Sequence, residues 1–267
     1  MSSRKLWLWI VIVMFAAALG TTACGKREEA SNTSAKPESG NTGTAGTGKL
    51  DLANAGKITG KVTLEGTAPK NDVIKMNADP VCMKEAKGTQ TQEFYVVGDN
   101  GSLENVFVWI KDGIGSFTGD TPTSPVTIDQ KQCRYHPHVF GIRVGQPLEI
   151  LNSDPVIHNI HAVPKINDEF NIGQPVQGMK TTRTFTKQEV MVPFKCDVHG
   201  WMNAYVGVVA HPYFAVTGKD GTFELKDVPP GKYTVEAWHE KLGPKRVDVT
   251  VGPKESKETN FAFRVTT

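Results

Sequence analysis

The sequence predicts an all-β protein made of two sandwiches, and three observations point to it. Apolar residues alternate at period two from about Ile58 to the end of the chain, Gly- and Pro-centred turns separate the alternating runs, and no stretch holds helical periodicity beyond two turns. In a strand successive side chains point to opposite faces, so period-two alternation marks a surface buried on one side. Many short runs of this kind, closed by tight turns, are what a sandwich or barrel requires.

Taken in order, Ile58, Val62 and Leu64 share the first face, and Val106, Val108 and Ile110 the second. Phe140, Ile142 and Val144 come next, then Leu148 and Ile150, and then Val206 and Val208. The last third carries Phe223 and Leu225, then Tyr233, Val235 and Ala237, then Val247, Val249 and Val251, and finally Phe261, Phe263 and Val265. Gly145-Gln146-Pro147, Lys219-Asp220-Gly221, Pro229-Pro230-Gly231 and Gly252-Pro253 supply turns. Val81 to Ala86 is the one short stretch suited to a helix.

Ahead of this body, Arg4 and Lys5 precede an apolar run from Leu6 to Gly20. As a helix that run spans about 22 Å, short of the ~30 Å hydrocarbon core of a bilayer, so residues 1–23 read as an export signal. Thr21-Thr22-Ala23-Cys24-Gly25 then resembles the lipobox of bacterial lipoproteins. That resemblance implies lipidation of Cys24 and an extracytoplasmic protein anchored to a bacterial membrane. Residues 24–56 are Ser, Thr, Gly, Ala, Asn and charge, too polar to offset the entropy of ordering, and are expected to act as a flexible tether. Its root-mean-square reach is about 30 Å. Without residues 1–23 the chain has 28 basic and 28 acidic residues and no basic run, which leaves no electrostatic case for nucleic-acid binding. A hydrophobic content of 39% with 22% charged residues excludes wholesale disorder and a polytopic membrane protein.

Two family patterns lie on the strands. Tyr135-His136-Pro137, the run Ile142 to Ile150, Asn152-Ser153-Asp154, His158-Asn159 and a loop from Cys196 that ends in Val206-Gly207-Val208-Val209 resemble a cupredoxin of the plastocyanin and amicyanin type, a Greek-key sandwich. Asp220-Gly221, Phe223-Glu224-Leu225 and Pro229-Pro230-Gly231-Lys232-Tyr233 resemble instead the carboxypeptidase regulatory-like, or prealbumin-like, sandwich. The opening strands of that second pattern occur far upstream, at Ile58-Thr59-Gly60-Lys61-Val62 and Val106 to Ile110. The expectation is therefore an insertion. Residues 125–210 form the cupredoxin domain, and residues 57–124 plus 211–267 form one discontinuous host; two consecutive domains are the alternative.

The chemistry concentrates in one loop. Cys196, His199 and Met202 follow one another at C-x-x-H-x-x-M spacing, the short ligand loop of amicyanins, offering a thiolate, an imidazole and a thioether to one ion. The resemblance implies His158 as the second imidazole, Asn159 as the residue fixing the loop by hydrogen bonding near Cys196 or Asp197, and one type 1 copper ion as cofactor. Structural zinc is the rival, but it usually recruits more thiolate or imidazole than one free cysteine allows. By count, Cys82, Cys133 and Cys196 permit three pairings; keeping the Cys196 thiolate in the donor set leaves a Cys82–Cys133 disulfide, worth a few kcal/mol.

The other histidines have plainer readings. His161 has the opposite strand parity to His158 and cannot face the same ion without a bend. His136 and His138 read as partly solvated, and His211 and His239 as structural or exposed. Met76, Met83, Met179 and Met191 are too scattered for a cuprous-ion tract. Trp201 is either packing or an exposed docking aromatic beside His199, whose ring edge the resemblance makes the electron's exit.

The expected function is one-electron transfer with a redox partner such as a c-type cytochrome, by a protein that is not an enzyme. A trinuclear copper centre would need about eight further imidazoles, and five histidines remain after His158 and His199; a nitrite-reductase-like second copper at a subunit boundary needs fewer and stays open by this count. The alternatives are a copper-delivery protein of metal homeostasis and a cell-surface binding module with an accessory copper site.

Overall fold

Alternating burial organises the chain into strands throughout the computed structural model, which describes residues 52–116 and 119–265. The export signal, Cys24 and nearly all of the tether lie outside the described residues. The first part of the chain supplies β1 (Gly56–Glu65), the short helix α1 (Pro80–Glu85) and β2 (Phe107–Asp112). The middle supplies β3 (Val126–Lys131), β4 (Arg134–His136), β5 (Val139–Arg143), β6 (Leu148–Asn152), β7 (His158–Ala162), β8 (Phe170–Gln174), β9 (Lys180–Arg183), β10 (Glu189–Lys195) and β11 (Asn203–Val209). The end supplies β12 (Phe214–Val216), β13 (Thr222–Val228), β14 (Gly231–His239), β15 (Gly243–Val251), β16 (Ser256–Glu258) and β17 (Phe261–Arg264). Among the described residues, no helix is long and apolar enough to cross a membrane.

The middle strands form two sheets of their own, in the orders β5-β11-β10-β7-β8 and β4-β3-β6-β9. Strands from the two flanks pair with each other. β1 lies antiparallel to β13 and parallel to β16 and β17, and β2 sits between β12 and β14, with β15 beyond. Each pair of sheets closes on its own apolar filling. Ile128, Ile142, Ile150, Phe185, Phe194 and Val206 fill the middle sandwich. Ile58, Val62, Val108, Ile110, Val235 and Phe263 fill the flanking one.

One expected boundary is corrected. Residues 57–124 do not all belong with the flanking sandwich: Ile74, Met76, Cys82 and Ala86 are buried in the middle core. The physical reason is covalent as well as hydrophobic, because Cys82 is joined to Cys133. The excursion between β1 and β2 thus covers one end of the middle sandwich.

The expected alternation in β2 also proves incomplete. Val106, Val108 and Ile110 face the flanking core, but Phe107 and Trp109 are equally buried, against Val139, Met191 and Val209 of the middle sandwich. Gly207 makes this close approach possible, since a Cβ there would fall inside the Phe107 ring. The two sandwiches therefore share a third, smaller apolar core.

Candidate metal centre

Two elements and one connection bring the donors together. Cys196 to Met202 is the whole link between the antiparallel neighbours β10 and β11, which are held in register at Lys195 and Asn203. The link closes on itself: Met202 N donates to His199 O at 2.9 Å, Cys196 N to Met202 O at 3.3 Å, and His199 N to Cys196 Sγ at 3.3 Å. A loop this tight folds its donors inward. His158 opens β7, the strand on the other side of β10, and points into the same space.

His158, Cys196 and His199 present donor atoms that all lie within 4.8 Å of one another. The two Nδ1 atoms are 3.0 Å apart, and Cys196 Sγ is 4.0 Å from His199 Nδ1. His158 is fully buried, Cys196 and Met202 are 2% exposed, and His199 is 3% exposed. Met202 belongs to the same apolar core as Cys196.

Asn159, next to His158, is an acceptor for the loop. Its Oδ1 takes hydrogen bonds from Asp197 N at 2.7 Å, Cys196 Sγ at 3.2 Å and Val198 N at 3.3 Å. Its own amide donates to Asn171 Oδ1 at 2.6 Å, and Asn171 donates to Asp197 Oδ2 at 2.7 Å. His161 lies on the outer side of this group, between Asp197 and Glu169 and away from the donors. It holds the Asp197 carboxyl down to about 2.

Each imidazole has its outer nitrogen on a carboxylate. His158 Nε2 is 2.8 Å from Asp154 Oδ2, and His199 Nε2 is 3.0 Å from Asp79 Oδ2. Neither aspartate was expected at the site from sequence. Asp154 sits inside a noted motif, Asn152-Ser153-Asp154. Asp79-Pro80 carries a helix-start signal, a capping carboxylate followed by proline at N1, but nothing local links it to a histidine 120 residues away.

The electrostatics follow from burial set against these bonds. Burial alone would raise the pKa of the Cys196 thiol, but hydrogen bonds from His158 and His199 bring it down to about 6. Burial alone would lower His158 and His199; bonds to Asp154 and Cys196 in the first case, and to Cys196 and Asp79 in the second, raise both instead. The pocket therefore favours a positive charge among its donors.

That preference tests whether the residues fit a metal. A carboxylate at Nε2 selects the tautomer protonated there, leaving Nδ1 as a lone pair. Two such lone pairs facing each other at 3.0 Å beside the Cys196 sulfur make a place that a cation fills, a proton shared between the rings or a metal ion in its stead. One cysteine sulfur and two imidazoles, with Met202 buried at the end of the same loop, are a soft, nitrogen-containing set of the kind copper takes in electron-transfer sites.

Around the rim, the readings of the His199 edge and of His138 are corrected, and Trp201 takes the packing role of the two it was given. The His199 ring edge is not an open exit, because Asp79 and the sulfur of Cys82, 3.6 Å from Nε2, cover it. Trp201 packs against the middle core, 4.9 Å from the His199 ring between centroids, and donates to Cys133 O at 3.0 Å. His138, expected to be partly solvated, is buried with ring nitrogens facing Asn203 O and Glu240 Oε1.

No protein-family model matches the chain, and no curated protein matches it. Solved structures similar to it include a Cu-containing nitrite reductase from Thermus scotoductus SA-01, 23% identical with a TM-score of 0.28 over 32% of this chain and 22% of that one. They also include a purple cupredoxin from Nitrosopumilus maritimus, 24% identical with a TM-score of 0.27 over 31% of this chain and 97% of that one. A Cu(I) amicyanin variant is 21% identical with a TM-score of 0.28 over 32% of this chain and 81% of that one. This chain thus spans about a fifth of the reductase. Likeness at this level leaves function to be decided by the side chains.

Proposed function

We propose that the chain is an exported, membrane-tethered type 1 copper protein that carries single electrons and converts no substrate. The observation that carries this reading is the pair of Nδ1 atoms turned toward each other beside a buried thiolate. His158, Cys196 and His199 would supply the strong donors and Met202 the weak fourth. A bound copper ion would supply a one-electron couple. The residues around it exclude water, hold both imidazoles by their outer nitrogens and keep the sulfur deprotonated near neutrality. Near-complete burial of all four side chains supports a resident ion rather than cargo for delivery. The domain division belongs to the same reading: residues 125–210 form the copper-binding unit and the flanks its host, with the stretch around α1 as a cover.

Adding Cu(II) to the purified protein should give an intense visible thiolate-to-copper band, absent in Cys196→Ser. A colourless protein holding stoichiometric zinc would overturn the assignment. The tether is tested by Cys24→Ser, which should move the protein from the membrane fraction to the soluble one. A c-type cytochrome as partner is tested by mixing the two proteins and watching the copper band bleach as the haem changes state.

A further inference from the structure

The two carboxylates behind the imidazoles are not independent of each other. Asp79 caps α1: its Oδ1 accepts from Val81 N at 2.9 Å and Cys82 N at 3.1 Å, which leaves Oδ2 for His199. Asp154 accepts from Gln132 N at 2.7 Å through Oδ1, and through Oδ2 from Cys133 N at 2.7 Å and His158. Cys82 and Cys133 are the two ends of the disulfide. Each aspartate therefore bonds the backbone N–H of one half-cystine and the outer nitrogen of one imidazole. The covalent bridge joins two carboxylate–imidazole pairs that converge on one point.

Resting on the copper reading above, we propose that Asp79 and Asp154 are positioning residues which, stapled together by Cys82–Cys133, fix both rings and bias the bound ion toward its divalent state. The physical reason is charge. A carboxylate accepting the outer N–H makes the imidazole a stronger donor, and a stronger, more negative donor favours the higher metal charge. Both imidazoles are treated alike here, although they come from elements far apart in sequence. Asp154 is 2% exposed, so little solvent screens its charge. The staple also limits how far α1, and with it Asp79, can swing from His199.

Asp79→Asn and Asp154→Asn preserve shape and remove charge, and asparagine is as competent an N-cap as aspartate, so the first variant should fold whatever happens to the second. In the full chain, Cu(II) and Cu(I) affinities and the midpoint potential are measured for wild type and each variant. Asp79→Asn should weaken Cu(II) about 10- to 100-fold, with a smaller change for Cu(I). The potential should then rise by about 59 mV for every tenfold difference between the two losses. Cys82→Ser/Cys133→Ser, which keeps both carboxylates but frees α1, should shift the potential in the same direction. An Asp79→Asn protein that keeps the thiolate-to-copper band and wild-type potential overturns the positioning role and leaves the copper reading intact. A wild-type protein without that band overturns both. A shift with Asp79→Asn but none with the double serine variant removes the staple from the proposal.

Discussion

The middle and flanking sandwiches are built from similar strands, yet they bury polar groups for different ends. In the middle one, polar side chains converge toward the donors. Asn152 Nδ2 donates to Val156 O at 3.0 Å and Gln174 O at 2.9 Å, Gln174 Nε2 donates to Ile150 O at 3.0 Å, and Asp154 N donates to Asn152 Oδ1 at 3.0 Å. These bonds fix the turn that delivers Asp154 and His158. In the flanking sandwich the buried polar groups tie neighbouring segments together. Thr217 bridges Val106 N and Leu103 O, and Glu236 accepts from Trp109 Nε1 at 3.0 Å and pairs with Arg246. Buried polar groups demand partners in either case. Only in the middle sandwich do the partners lead to a cluster of thiolate and imidazole among the described residues.

The contrast can be broken first at the disulfide. Its ends are 51 residues apart, and releasing a loop of that length should cost about 4 kcal/mol in the chain-entropy model. Urea unfolding of Cys82→Ser/Cys133→Ser should show that loss. An unchanged midpoint would mean that the cover over the middle core adds nothing to its stability. Next in size is the seam between the sandwiches. Gly207→Ala should cost about 1–3 kcal/mol by pushing into Phe107, while leaving in place the copper band proposed above, because the seam is separate from the cluster of His158, Cys196 and His199. Loss of the band in a folded Gly207→Ala protein would show the two regions to be coupled.

Acid sharpens the comparison gradually, along a titration. His211 and His239 belong to the flanking region, and burial lowers the pKa of each to about 4. Both accept backbone N–H groups at Nδ1, His211 from Tyr213 and His239 from Lys241 and Leu242, so both must stay neutral. Their folded values lie below the unfolded one of about 6.5, so the unfolded chain binds more protons between those limits. Stability from these groups is complete above about pH 6.5 and falls toward pH 4, at about 1.4 kcal/mol per pH unit for each histidine. Asp154, in the middle region, is held below the ordinary aspartate value: burial alone would raise it, but the His158 bond and the two backbone N–H groups prevail. Its contribution is lost only at still lower pH. Urea midpoints measured from pH 7 to 4.5 should therefore decline in the wild type and decline less steeply in His211→Gln. Parallel slopes would refute the assignment to His211.

Much of the site was legible because it is contiguous. Cys196, His199 and Met202 lie within one seven-residue link, and a link that short between paired strands has few ways to fold. The all-β class was legible because period-two burial is a local property of each strand. The carboxylates were not legible, since an N-cap aspartate looks the same whether its free oxygen meets water or, as at Asp79, an imidazole 120 residues away. Nor was the second buried face of β2: alternation records which side chains are apolar, and Phe107 and Trp109 find their partners only when the two sandwiches meet.

The sequence alone determined strand periodicity, turn positions and the identity and spacing of the donors in the loop, all of which depend on residues close together along the chain. The resemblance already named His158 as the imidazole that joins that loop; tertiary structure decided which carboxylate stands behind each ring, and that α1 covers His199. Those outcomes depend on how distant segments close on one another, and a chain's local pattern sets how much apolar surface must be buried without naming the partner that buries it.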